Sequence, residues 1–499
     1  MMQQSARVCL SFIVWMFGAS MLFGQGEGAV PPHPRDIVYQ PLEYTPPKAA
    51  DHRRVLAGGV EAFFVEDHDL PLVHVSAYIR MGAYLDPAGK EGLAAAVGSQ
   101  LRLGGTTGRR AEEFDEEADF LAADLASSVG STAGRASVNF MAKDTDRALA
   151  LFFDMLRRPA FQQDRLDLYK GQQLQAMERR NDQTGEIEGR EWNRLLFGES
   201  HFSNRYGTRA SISSLTREDL ADFHRRYVHP GNLVLAVSGD FRTAEMKGAL
   251  ERAMAGWENT GVLAPPVPAP DADLSPGIYM VDKPDVNQAR VSLGHRGIRR
   301  GDPDEIVVDV MNDILGGSGF TSRIMSRVRT EEGLAYDTGS RYSAGIYYPG
   351  EFRAWFQTRN ASAARAARIV IEEIERMRRT KVEPEELETV KNQAVEIFPR
   401  VFATARATAE TFAADAYTGR DPLFWDTYRD RVRAVTVDDV HRAAGTHLHP
   451  ERLVILAVGN VDEVLRGDPE RPEDSFGKMG RGDVVRVPLP DPMTMEYPK

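Results

Sequence analysis

The chain has 499 residues, 42% of them apolar and 27% charged, with a formal net charge of −12. That length and composition allow two or more domains with true cores. No basic excess exists to meet phosphates, so no nucleic-acid partner is expected.

Arg7 precedes an uncharged, largely apolar run from Val8 to Phe23. Its length suits the apolar region of a signal peptide better than a full bilayer span. Ala19, Ser20 and Gly24 are small residues near a cleavage point. A signal peptide is therefore expected over residues 1–24, and with it an exported, periplasmic protein. An uncleaved membrane anchor is the alternative. The only cysteine, Cys9, falls inside this segment, so disulfides and cysteine catalysis are not expected in the mature chain. Residues 25–54 read as an N-terminal extension.

A first domain is expected over 55–260. VHVSAYIR (73–80) alternates, with Val73, Val75, Ala77 and Ile79 on one strand face. GLAAAVGSQLRLGGT (92–106) reads as a tightly packed helix with a glycine stop. DTDRALALFFDMLRRP (144–159) has a helical stripe of Leu149, Phe152, Phe153 and Leu156, with Asp144 as a cap and Pro159 as the end. Residues 261–277, GVLAPPVPAPDADLSPG, are proline-rich and read as a stiff linker. A second domain is expected over 278–470. It includes an alternating strand, EFRAWFQT (351–358), and a helix over 362–379 with Ile369, Ile371, Ile374 and Met377 inward. Residues 471–499 read as a C-terminal tail.

The halves repeat each other. HPGNLVLAVSGD (229–240) aligns with HPERLVILAVGN (449–460), and TREDL (216–220) with TVDDV (436–440), at an offset of 220. Val75-Ser76 and Asp86-Pro87 face Val291-Ser292 and Asp302-Pro303 at offset 216, and Leu103-Gly104-Gly105-Thr106 faces Leu315-Gly316-Gly317-Ser318 at offset 212. Matches in order at nearly constant offset point to two copies of one domain of about 200 residues. Alternating strands with long helices make each copy an α+β sandwich.

Chemistry is harder to find. No two of the eleven histidines are three or four residues apart, so neither HExxH nor HxxEH occurs. His68 lies in an acidic turn, and His229 and His449 precede prolines before strands, where packing is the simpler role. No G-x-S-x-G is present, and GGSGF (316–320) lacks the lysine of a phosphate loop. That glycine run reads as a helix stop or as a substrate-contacting loop. FTSRIMSRVRTEEGLAYDTGSRY (320–342) brings Arg323, Arg327 and Arg329 before Tyr336. Arginine and tyrosine near a glycine-rich loop can donate to a carbonyl or a developing oxyanion. The residues alone favour a basic helix face followed by a strand.

Together, GLA…GGT in one half and GGSGFTSRIMSRVRTEEGLAY in the other resemble the pitrilysin/insulinase family of inverted HxxEH zinc peptidases, which includes mitochondrial processing peptidase. SGDF (238–241) and RAVTVDDV (433–440) fit as well, and the resemblance spans about residues 36–465. It implies two homologous processing-peptidase-like α/β sandwich domains in a clamshell assembly. In that family HxxEH precedes a Gly-Thr, which places the ligand and base positions at Ala96, Ser99 and Gln100. The third ligand, a glutamate in active members, falls near Gln175, with Glu178 close by. None of the first three can do that work, so no zinc is expected in this chain.

The resemblance also implies that Arg329 and Tyr336, seven residues apart, hold a substrate carbonyl in trans, with Gly316, Gly317, Ser318, Gly319 and Phe320 contacting an extended peptide. The expected role is the metal-free subunit of an exported heterodimeric metallopeptidase, whose homologous partner carries the zinc. The alternatives are a catalytically silent peptide-binding or scaffold protein of the same fold, and a self-sufficient hydrolase with an unfamiliar site.

Overall fold

The strands follow the hydrophobic alternation closely. The expected strand at 73–80 is β3, Leu72–Ile79, and the one at 351–358 is β10, Glu351–Arg359. The computed structural model describes residues 43–271 and 274–498. The expected signal peptide, Cys9 and most of the expected N-terminal extension therefore lie outside the described residues. Thr45–Lys499 forms one compact unit. None of the described helices is long and apolar enough to cross a membrane.

The other strands are β1 (Arg53–Val55), β2 (Glu61–Glu66), β4 (Asp124–Val129), β5 (Gly134–Met141) and β6 (Leu233–Gly239), then β7 (Gly277–Asp282), β8 (Gln288–Arg296), β9 (Ala335–Tyr342), β11 (Val454–Gly459) and β12 (Val484–Val487). They form two six-stranded sheets, ordered β1-β2-β6-β3-β5-β4 and β12-β7-β11-β8-β10-β9. The sequence repeat is thus a structural repeat. In each half the first of the five shared strands pairs parallel with the last, β2 with β6 and β7 with β11. The other shared pairs are antiparallel. The halves differ at one edge, where β1 runs antiparallel to β2 and β12 runs parallel to β7. The second sheet therefore continues into the expected tail. Farther on, the Tyr497 hydroxyl donates to Glu191 at 2.8 and 2.9 Å, which fastens the chain end to the first half.

Each sheet has one face on its own helices. Val73, Val75, Ala77 and Ile79 pack with Leu149, Phe152, Phe153 and Leu156 of the helix Thr145–Arg157. Asp144 occupies the N-cap of that helix without a side-chain bond to its backbone. In the second half Ala289, Val291 and Leu293 pack with Ile369, Ile371, Ile374 and Met377 of the helix Ala363–Arg379.

The opposite faces are closed by exchange. The helix Ala405–Thr418, from the second half, lies on the first sheet: its Phe412 ring lies 6.1 Å from that of Phe63, tilted by 42°, and its Tyr417 hydroxyl donates to the Ile79 carbonyl. The helix Thr184–Phe197, from the first half, lies on the second sheet, where Ile187, Trp192 and Leu196 pack with Val454, Leu456 and Val458. Neither half closes its sheet alone.

Candidate functional site

The helix over the GLAAAVGSQL stretch runs Leu93–Leu103. The Asp86 carboxylate starts it, accepting the backbone N–H groups of Gly92 and Ala94 at 2.8 Å each. Burial is the main reason that the Asp86 carboxyl is pushed up to about 6. Gly98 has no room for a side chain, because a Cβ there would sit 2.3 Å from the Val129 nitrogen. The helix therefore rests directly on β4. Its end is built by glycines: the Gly104 N–H donates to the Gln100 carbonyl at 2.9 Å, and Gly105 takes a φ of 67°. Thr106 then ties the turn to Asp154 through a 2.9 Å bond.

The three positions expected to correspond to a metal motif do not fit a metal. Ala96 is fully buried and offers no lone pair. Ser99 is half-buried and neutral. Gln100 is buried, and its Oε1 has no hydrogen-bond partner among the described residues. Gln175, on the helix Gln163–Met177, is exposed, and so is Glu178. Zinc sites use thiolate, imidazole or carboxylate donors, and this set supplies none from the helix. Among the described residues the one cluster with metal-ligand spacing is Asp302, Asp304 and His447. There both Asp304 oxygens are already held, by Arg442 at 2.7 and 2.8 Å and by His447 at 2.7 Å. The Arg442 bond is the largest cause of an Asp304 carboxyl lowered to about 2. This is an ion-pair knot between two helix ends.

The second half treats its glycines and arginines unequally. Gly316 is buried by internal packing, and Gly317, though exposed, lies close to the preceding turn. A Cβ at Gly316 would lie 2.4 Å from the Ser340 hydroxyl on β9, and one at Gly317 would lie 2.4 Å from the Asp313 carboxylate. Ser318 bonds back to the Asp313 carbonyl at 2.7 Å. Only Gly319 of the three, at φ 63°, has open space beside it, and Phe320 beyond it is exposed. The missing side chain of buried Gly316 thus admits β9, while that of exposed Gly317 leaves room for Asp313 and Asn312 of the preceding turn. The expected helix stop is also more unusual than a simple turn, since Asp313–Gly317 and Ser326–Glu331 are both π-helical.

Of the three arginines, two are structural. Arg323 makes a two-pronged pair with Glu386 at 2.8 and 2.6 Å, and Arg327 pairs with Glu373 at 2.9 Å. Arg329 is different. Its guanidinium carbon lies 4.3 Å from the Tyr336 ring centre and 4.6 Å from that of Phe320. No carboxylate among the described residues is within ion-pair reach of it. Tyr336 is 81% exposed and Phe320 is 67% exposed. Gly333, at φ 61°, turns the chain, and the Leu334 N–H donates to the Val328 carbonyl at 2.9 Å. Tyr336 thereby starts β9 directly beside Arg329. The result is a guanidinium stacked with two exposed aromatic rings at the sheet edge, with hydrogen-bond donors left over. β9 is the counterpart of β4, so the stack and the Leu93–Leu103 helix border equivalent edges of the two halves.

A second constellation escaped the sequence. Glu188, buried on the exchanged helix of the first half, accepts from Arg290 at 2.8 Å and from Ser292, and pairs with Arg353 at 3.0 Å. Glu410, on the other exchanged helix, accepts from Ser76 at 3.1 Å, and lies 2.7 Å from Arg135 and 3.2 Å from His74. The match of Ser76 with Ser292 was the visible trace of this pattern. His229 and His449 take packing roles: His229 meets the Val262 carbonyl at 2.9 Å, and the His449 N–H donates to His295. His68 sits exposed beside Asp240 at 2.7 Å.

The peptidase M16 inactive domain matches residues 214–394, a span that contains both the glycine loop and the Arg329 stack. An uncharacterised zinc protease of Streptomyces coelicolor is 26% identical over 60% of this chain and 67% of its own. The non-peptidase homologue YmxG of Helicobacter pylori is 23% identical over 83% of this chain and 94% of its own. The crystal structure of a peptidase M16 inactive domain from Pseudomonas fluorescens superposes with a TM-score of 0.73 at 24% identity, covering 82% of this chain and 97% of that one.

Proposed function

We propose, from the premise that the chain is an M16-like protein with the inactive domain of that peptidase family, that it is the metal-free subunit of a two-chain peptidase. A homologous partner would carry the zinc. This chain would bring Arg329 and Tyr336 to the substrate from the opposite side, and the substrate would be an extended peptide. The observation that carries this reading is the Arg329 stack. It is a charged group with two aromatic rings against it and paired with no carboxylate among the described residues.

A guanidinium held this way is pre-set to donate to a peptide carbonyl as negative charge grows on its oxygen. Tyr336 supplies a second donor from the adjacent strand. Gly319 leaves backbone accessible beside them. The first half contributes shape, since its Ala96, Ser99 and Gln100 cannot hold a metal or act as a base. The apolar run at Val8–Phe23 supports placing the pair outside the cytoplasm. The test is reconstitution. The purified chain alone should hold no stoichiometric zinc and cleave no peptide. Mixed with a zinc-bearing homologue from the same source it should restore cleavage. Full activity of that homologue without this chain would remove the proposed role.

The name of the Helicobacter relative, a non-peptidase homologue, favours a second reading, a silent scaffold or peptide-binding protein. Peptide turnover by the mixed pair that falls in Arg329→Ala separates the two.

A further inference from the structure

We propose that the cavity between the end of the Ala363–Arg379 helix and the Gly480–Gly482 turn binds a small organic anion, a carboxylate or phosphate on an apolar body. The cavity has a volume of about 890 Å³, within the range of small-molecule sites. It lies away from the Arg329 stack in the chain and shares no lining residue with it.

Three arginines line it, and two of them are already paired. Arg379 meets Glu375 at 3.3 Å, and Arg378 meets Glu451 at 3.3 Å. Arg481 has no carboxylate within ion-pair reach among the described residues. Among the described residues its one acceptor is the Pro450 carbonyl, which occupies one of five N–H donors. Arg481 therefore lines the cavity with donors that an anion there can use. Three guanidinium groups against two carboxylates leave one positive charge for it.

The turn is constructed to deliver Arg481. Gly480 has φ 66° and Gly482 has φ 81°, and neither has a heavy atom within 4 Å of its Cβ position. These glycines serve backbone conformation rather than close packing. Left-handed residues on both sides aim the arginine inward. Burial lowers the Arg481 pKa, with Glu375 and Glu451 opposing that effect, so an anion here would also relieve a desolvated charge. The remaining wall is apolar, from Pro276, Pro450, Leu453 and Met479, which is why an apolar body is expected behind the charged head.

Calorimetric titration of the full chain with inorganic phosphate and with octanoate tests the site. Saturable binding of at least one probe is expected, weakened tenfold or more in Arg481→Ala and by less than threefold in Arg379→Ala. Tighter binding of octanoate assigns a carboxylate ligand with an apolar tail, and phosphate binding alone assigns a phosphate ligand. Arg481→Gln keeps a donor for the Pro450 carbonyl while removing the charge, and it should lose binding with an unchanged melting temperature. No saturable binding of either probe at 10 mM, or unchanged affinity in Arg481→Gln, overturns the proposal.

Discussion

Glu188 and Glu410 occupy equivalent places on two exchanged helices, each directing its carboxylate onto a serine and an arginine of the other half's sheet. The partners recur at nearly the offsets of the sequence repeat: His74 with Arg290, Ser76 with Ser292, and Arg135 with Arg353. The duplicated domain thus reciprocates its closure. A helix from one half buries the far face of the other's sheet, and a carboxylate fixes its seat.

Removing Glu188 should be costly, because Arg290 and Arg353 would keep their charge beside a buried, unpaired space. Breaking a buried pair by deleting one partner typically costs about 3–5 kcal/mol. Glu188→Ala is expected in that range by urea denaturation, and Glu410→Ala below it, since Glu410 and Arg135 are more exposed. Equal, near-zero losses would show that the exchange is held by apolar contacts alone.

Glu410 also sets a pH dependence. Burial raises its pKa, but hydrogen bonds from His74 and Arg135 and the Arg135 charge outweigh burial, so the net shift is downward from 4.5. A lowered carboxyl contributes stability that is fully present above the unfolded value and is lost as pH falls toward the folded one. Wild-type stability should therefore decline below about pH 4.5. Glu410→Gln should be less stable at neutral pH and show a shallower decline. Parallel acid profiles for the two proteins would contradict this.

How much of this was legible beforehand depends on what kind of order a residue pattern encodes. Period-two alternation gave β3 and β10, and the offset matches gave the duplication, because both are local or translational regularities. An amphipathic stripe shows that a helix face is buried, but not against which sheet. Thr184–Phe197 and Ala405–Thr418 therefore carried no mark of their exchange. Arg323, Arg327 and Arg329 are alike as letters. Their separation into two paired groups and one stacked group depends on Glu386 and Glu373, more than forty residues away. Gly316 looked like room for a ligand, and that room is filled by β9.

Restoring the metal motif should fail for two separate reasons. Ala96 is fully buried, so Ala96→His forces a ring into packed space, at about 1–3 kcal/mol. The expected third-ligand position, Gln175, is exposed and carries no carboxylate. The triple variant Ala96→His, Ser99→Glu, Gln100→His is expected to be less stable and to bind zinc weakly by competition with a chromogenic chelator. Tight stoichiometric zinc would mean that a third ligand is at hand.

The Arg329 stack separates catalysis from stability. In the reconstituted pair, Arg329→Ala and Tyr336→Phe should each lower kcat, because removing one donor to a developing oxyanion typically costs about 2.7–4 kcal/mol, or 10²–10³ in rate. The stability of the isolated chain should barely change in either variant. Arg329 makes no ion pair among the described residues, and exposed ring–cation contacts are worth about 0.5–1 kcal/mol. Arg323→Ala should do the reverse, because it strips the two-pronged partner of Glu386 on a neighbouring helix without touching the stack. Measuring melting temperature and turnover on the same three proteins is decisive. If Arg329→Ala melts early and Arg323→Ala loses only activity, the roles assigned to the two arginines are exchanged.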